Sequence, residues 1–330
     1  MSGESLLPVA PMAAPVRIWP VARLPRFAWA VLFGNLLVIQ WGAYVRATGS
    51  GAGCGNHWPM CNGEVLPRAP SITTLIELSH RVSSGVALAA VMALGMLTFR
   101  DTPRGHPART TAFLSVVLIW QEVFIGAALV LLKLVAHDAS LLRGISMELH
   151  AGNTFFLLGA LTLTATYASD QVPGGAAIRL HRHQPLLFPV MLAFFGLALA
   201  FASGAIAALG DTLFPARSLA AGLAQDLSPS AHLFLRIRTL HPLFALLASA
   251  CVIGASTAIR ARHPGPSTLS SLCKAVTAVT ALQVAVGVLN LSLLVPIATQ
   301  LLHLAMADVV FILLVLVSAS ALVSPSSEPG

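Results

Sequence analysis

IELSHRVSSGVALAAVMALGMLTFR, residues 76–100, decides the architecture. Between Arg81 and Arg100 it has no charged residue. A run of that length crosses a hydrocarbon layer of about 30 Å as a single helix. Near its start it carries His80, with Glu77 three residues earlier. Polar side chains are costly at membrane depth, so each one calls for a functional reason. Three further apolar runs repeat the arrangement: His150 in SMELHAGNTF (146–155), His241 in RTLHPLFALL (238–247) and His303 in TQLLHLAMAD (299–308). Neutral imidazole is the commonest metal ligand, and paired imidazoles suit haem iron.

The rest of the chain has the same character. Its 330 residues are 56% hydrophobic and 9% charged, with mean hydropathy +0.83, against about 25% charged residues in soluble domains. Apolar runs fall near 27–46, 73–98, 111–132, 147–168, 186–209, 232–258, 273–295 and 299–323. This predicts an all-α integral membrane protein with eight transmembrane helices in the lipid bilayer. The net charge of +7 is spread in short clusters between the runs. These read as topology signals and not as a nucleic-acid surface. The stretch before Arg26 has no cleavage-type apolar core, so a removed signal is not expected.

Lys and Arg set the orientation. With the N-terminus inside, the inner segments hold Arg17, Arg23, Arg26, Arg100, Arg104, Arg109, Arg179, Arg182, Arg260, Arg262 and Lys274, eleven of 19 basic residues. Both termini are therefore expected in the cytoplasm, and the 46–72 loop outside.

The two halves echo each other. QWGAYVRATGSG (40–51) parallels FASGAIAALGD (201–211), and WQEVFIGAALVLL (120–132) parallels ALQVAVGVLNLSLL (281–294). Histidines fall in the second, fourth, sixth and eighth runs. A four-helix repeat returns the chain to its starting side, so two similar four-helix bundles would be related by a pseudo-two-fold axis along the membrane normal. The expected organisation is a tail (1–26), an N-terminal bundle (27–172), a linker (173–185), a C-terminal bundle (186–323) and a short tail (324–330). His80 would face His150, and His241 would face His303, all near the outer third of the bilayer.

The halves differ chemically. Glu77 shares a helix face with His80, because i and i+3 are neighbours. At the corresponding place before His241 stands Arg238. The first half, with a reactive acid beside its ligand, reads as a substrate site and the second as a fixed-cofactor site. Glu122 and Asp308 are further membrane acids whose roles stay open. Cys54 and Cys61 lie seven apart in a loop rich in Gly and Pro. A structural disulfide and a redox pair both fit that spacing, and zinc with His57 fits less well.

These residues resemble a known family. VRATGSGAGCGNHWPMCNG (45–63) is similar to the VR-TGSG-x-x-C-x-x-x-WP-x-C-NG signature of haem A synthases, and IELSHR (76–81) to that family's E-x-x-H-R. The four histidines match its haem-ligating positions, and the resemblance runs from about residue 28 to 323. It implies haem b on His241 and His303, substrate haem O on His80 and His150, Glu77 as the catalytic acid, and a Cys54–Cys61 disulfide. Arg46 and Arg81, and Arg238 in the second half, would contact haem propionates. The implied reaction oxidises the C8 methyl of haem O to a formyl group through a hydroxymethyl intermediate, giving haem A for terminal oxidases. A bacterial inner membrane is the implied location. An electron acceptor or donor, a complex with haem O synthase and a homo-oligomer are the partners it opens. The sequence departs from the pattern at Asn56-His57, where Pro-Asp is usual, and in DTLFPARSLAAGLAQDLSPS (211–230), which lacks the second cysteine pair of some members. Two competing readings are a di-haem b-type electron carrier, which leaves Glu77 and the cysteine loop unexplained, and a transporter of parallel repeats, which predicts matched broken helices at midplane.

Overall fold

The computed structural model describes residues 23–169 and 184–322. The expected C-terminal tail and nearly all of the N-terminal tail and linker, with Arg17, Arg179 and Arg182, lie outside the described residues. Every named element is helical: α1 (Arg23–Ala47), α2 (Ile72–Asp101), α3 (Pro107–Leu131), α4 (Leu141–Ala168), α5 (Gln184–Leu213), α6 (Leu219–Asp226), α7 (Leu233–Arg238), α8 (His241–Arg262), α9 (Thr268–Ser292) and α10 (Ile297–Leu322). Among the described residues there is no strand, only an isolated bridge between Cys61 and Glu64.

Among the described residues, seven helical stretches are long and apolar enough to cross a membrane. The fourth expected span is α4. It has 28 residues, 14 of them buried. Its apolarity is lowered by Arg143, Glu148, His150, Asn153 and a series of threonines. A helix shielded by neighbours need not be as apolar as one facing lipid. The threonines also satisfy themselves: Thr162 and Thr164 donate to the carbonyls of Leu158 and Ala160 one turn back, both at 2.7 Å.

Local chemistry sets the ends. Ser71 caps α2 by accepting from the Thr74 amide at 3.2 Å, and Ser140 caps α4 by accepting from the Arg143 amide at 3.2 Å. The sixth expected span is one apolar stretch, Leu233–Arg262, in which the helix is interrupted at Thr239 and Leu240, between α7 and α8. Pro242 explains this: it lacks an N–H and its ring would clash with the carbonyl four residues back, so it sits in the first turn of a new helix. His241 is therefore the first residue of α8 and not an interior one. The 211–230 loop also folds an unexpected short helix, α6, capped by Ser218.

Contacts follow chain order. In the first half α1 packs on α2, α2 on α3, α3 on α4, and α4 returns to α1. In the second, α5 packs on α8, α8 on α9, α9 on α10, and α10 touches α5. Between the halves α4 meets α5 and α10, and α1 meets α10. At that seam Phe155 of α4 lies 4.0 Å, centroid to centroid, from Phe311 of α10, and 5.4 Å from Phe201 of α5. In lipid such seams are held by packing and polar bonds, not by water exclusion. The polar bonds come from α1. Arg46 donates to the Ala208 carbonyl and Thr212 Oγ1, each at 2.6 Å, and to Gln300 Oε1 at 3.0 Å. Gln40 donates to Asp308 at 3.2 Å.

Candidate functional site

Four half-buried histidines project from α2, α4, α8 and α10. In the second half the rings of His241 and His303 are 6.3 Å apart, centre to centre, at 82° to each other. In the first half His80 and His150 lie within electrostatic reach of one another. No cluster of three or more His, Cys, Asp or Glu placed to hold a metal ion occurs among the described residues.

Each ring meets a glycine on the neighbouring helix. A Cβ added to Gly42 on α1 would lie 3.0 Å from His80 Cε1, and one on Gly126 of α3 would lie 4.0 Å from His150 Cε1. Gly204 on α5 approaches His241 Cε1 at 3.0 Å in the same sense, and Gly287 on α9 approaches His303 Cε1 at 2.8 Å. At three of the four positions any side chain would push the imidazole aside. These glycines were missed as site residues, although the repeat carried the signal: QWG parallels ASG, and VFIG parallels VAVG.

The ring nitrogens have different partners. Ser203 Oγ lies 3.1 Å from His241 Nδ1, while Nδ1 of His80 is buried without a hydrogen-bond partner. His150 Nδ1 is in direct contact with a carboxylate oxygen of Glu122. Glu122 was read as an acid of open role; the fold brings it onto a histidine from the adjacent helix.

Glu77 is buried, at 3% exposure. One oxygen accepts from the Cys54 amide at 2.8 Å, and the other is paired with the Arg81 guanidinium. Arg81 also donates to the carbonyls of His57 at 2.7 Å and Met60 at 2.8 Å. The 54–61 loop is thereby clasped onto α2, one turn from His80. Cys54 and Cys61 are disulfide-bonded and fully buried. Gly53 permits the contact, since a Cβ there would sit 2.3 Å from the Thr73 carbonyl oxygen. Loop and helix thus form one unit, which the i, i+3 relation of Glu77 and His80 did not reveal.

The three arginines expected at propionates all have protein partners. Arg46 bridges the halves, Arg81 clasps the loop, and Arg238 pairs with Asp211 at 2.7 Å and with Asp226. The aspartates went unnoticed because they lie 27 and 12 residues from Arg238 in sequence.

The profile of the COX15-CtaA family, described as cytochrome oxidase assembly protein, matches residues 25–315. The chain belongs to this family. Curated relatives agree. A "Heme A synthase" of Alkalihalophilus pseudofirmus is 39% identical over 108 residues, covering 33% of this chain and 36% of its own. Another, of Lysinibacillus sphaericus, is 30% identical over 170 residues, covering 52% and 55%. A Thermus thermophilus protein named "Protoheme IX farnesyltransferase" is 42% identical over 301 residues, covering 91% of this chain and 49% of its own. The chain thus spans about half the length of that relative.

Proposed function

We propose that this protein is a haem A synthase of the bacterial inner membrane, oxidising the C8 methyl of haem O to a formyl group by way of a hydroxymethyl. The observation that carries the proposal is the spacing of His241 and His303. A metal–imidazole bond of about 2 Å on each side, plus about 1 Å from nitrogen to ring centre, puts two axial imidazoles about 6 Å apart. The rings stand at 6.3 Å. The glycine opposite each ring leaves the space that an imidazole in this position needs, and the family membership agrees.

In this reading α1–α4 and α5–α10 form two bundles related by an axis along the membrane normal, with both termini cytoplasmic and the disulfide loop outside. His241 and His303 would hold haem b, which would supply a one-electron carrier, and His80 and His150 would hold haem O. With water as the oxygen source, methyl plus water gives hydroxymethyl, and hydroxymethyl gives formyl, each step losing two electrons and two protons. The electrons would pass on to an external acceptor. Glu77 stands one turn from His80 and is the proton acceptor. Its bonds to Arg81 and the Cys54 amide aim the carboxylate. Each guanidinium has five N–H donors, so Arg81 and Arg238 retain capacity for a propionate beside their present partners, and Arg46 does so at the seam.

The Thermus relative bears the name of an enzyme that farnesylates protohaem, the chemistry that yields haem O. This supports supply of the substrate by such an enzyme in the same membrane. To test the activity, the chain is expressed with a haem O synthase in a host that makes no haem A, and the extracted haems are separated by chromatography. Hydroxymethyl and formyl haems are expected. Recovery of haem O and haem b alone, from protein shown to carry haem, would favour the electron-carrier reading instead.

The glycines give a second test. Gly287→Ala is expected to displace His303 and lower the haem content of purified protein. Gly254→Ala on α8, where a Cβ meets nothing within 4 Å, should keep full haem content and gain up to about 1 kcal/mol of helix propensity. Equal haem content in both variants would remove the glycine from the site.

A further inference from the structure

Glu122 stands in α3 one turn before Gly126, the glycine that faces His150. The parallel segment of α9 places Gln283 one turn before Gly287, the glycine that faces His303. The two positions are equivalent in the repeat and opposite in chemistry.

In the first half the carboxylate is held from two sides. Thr154 Oγ1 donates to Glu122 Oε1 at 2.6 Å, and Oε2 is in contact with His150 Nδ1. The side chain is 12% exposed, so the contact is shielded from competing water. In the second half the Gln283 amide oxygen is buried without a hydrogen-bond partner. His303 leans toward the Gln283 backbone, and neither its Nδ1 nor that of His150 makes a hydrogen bond of regular geometry. One ligand therefore has a carboxylate side chain in contact with its Nδ1, and its counterpart has only a backbone neighbour.

We propose that Glu122 is a positioning residue for His150: it holds the ring proton on Nδ1, turns Nε2 toward the bundle centre, and makes this imidazole a stronger electron donor than His303. Outer partners of ligating histidines fix tautomer and orientation and raise ligand basicity in this way. An iron on the more basic ligand is easier to oxidise. The asymmetry therefore sets a direction: the iron in the N-terminal half gives up an electron, and the haem in the C-terminal half is the species reduced. The sequence difference between Glu122 and Gln283 carries that direction, while the histidines are the same in both halves.

This inference rests on the haem-site reading above, and the experiment separates the two. Full-length protein in detergent is loaded with haem b at both sites and titrated spectroelectrochemically. Wild-type protein that takes up no haem defeats the site reading itself. With haem bound, Glu122→Gln is expected to raise the lower of two midpoint potentials and leave the other in place. It should also weaken haem binding in that half by about 10- to 100-fold. Gln283→Glu is expected to lower the other potential. A purely structural role for Glu122 would alter stability or occupancy without moving a potential in a defined direction. Unchanged potentials in both variants, or a downward shift in Glu122→Gln, would overturn the proposal. Should Glu122→Gln fail to fold, Gln283→Glu decides alone, since the same logic requires its potential to fall.

Discussion

Glu77→Gln is expected to yield a folded protein with its haem in place and product formation lowered by about 10²- to 10⁴-fold, the range that a positioned acid–base group contributes. Glutamine keeps the length of the side chain and one oxygen, which can accept from Arg81 or from the Cys54 amide, while its NH2 faces the other donor. It loses the charge and the capacity to take a proton. Glu77→Ala asks a different question. It strands Arg81, whose side chain is only 12% exposed, and breaking a buried pair costs about 3–5 kcal/mol. The alanine variant should therefore loosen the 54–61 loop more than the glutamine variant, which keeps one of the two bonds, seen as faster reduction of the Cys54–Cys61 bond by added thiol. The comparison separates chemistry from scaffolding. A glutamine variant that makes haem A at the wild-type rate would remove Glu77 from the reaction and leave it a structural clasp.

Loss of the resident haem from His241→Ala or His303→Ala is the second large effect. Truncating either ring leaves one imidazole where the 6.3 Å pair stood, and a single ligand holds iron far less firmly than two. The helices should survive, because Gly196 of α5 is packed against Ala248 of α8, with a would-be Cβ contact of 3.1 Å to the Ala248 Cα, and because Val252, Ala255 and Ile259 of α8 are buried in the hydrophobic core. Circular dichroism should thus be unchanged while the Soret band of the purified protein falls. Added imidazole should restore part of it by entering the space beside Gly204 in His241→Ala and beside Gly287 in His303→Ala. The matching His80→Ala and His150→Ala variants should keep the resident haem and lose binding of haem O. If His303→Ala purifies with its full haem complement, the C-terminal pair is not the cofactor site.

Much of this was legible in the primary structure, for a reason particular to membranes. A spanning helix must satisfy its backbone internally and present apolar side chains to lipid, so the runs at 73–98 and 299–323 announced α2 and α10 almost to the residue. The histidines stood out against that apolar background, and residues 120–132 and 281–294 run parallel in sequence. The interruption before Pro242 was also written in the chain, but a hydropathy pattern averages over it, and α7 and α8 lie within the one expected span. The helix α6 escaped because its eight residues are too few to impose a period.

Chain order alone determined the helical class, the spacing of the four imidazoles and the chemical difference between the halves at Glu77 and Arg238. Tertiary structure decided which groups touch. It set Glu77 against the Cys54 amide, Glu122 against His150, Arg238 between Asp211 and Asp226, and a glycine opposite every histidine. None of these contacts is periodic within one helix. Each depends on how two helices are rotated about their own axes and how deeply they slide together, and that is settled by packing across the bundle and not by any local run of residues.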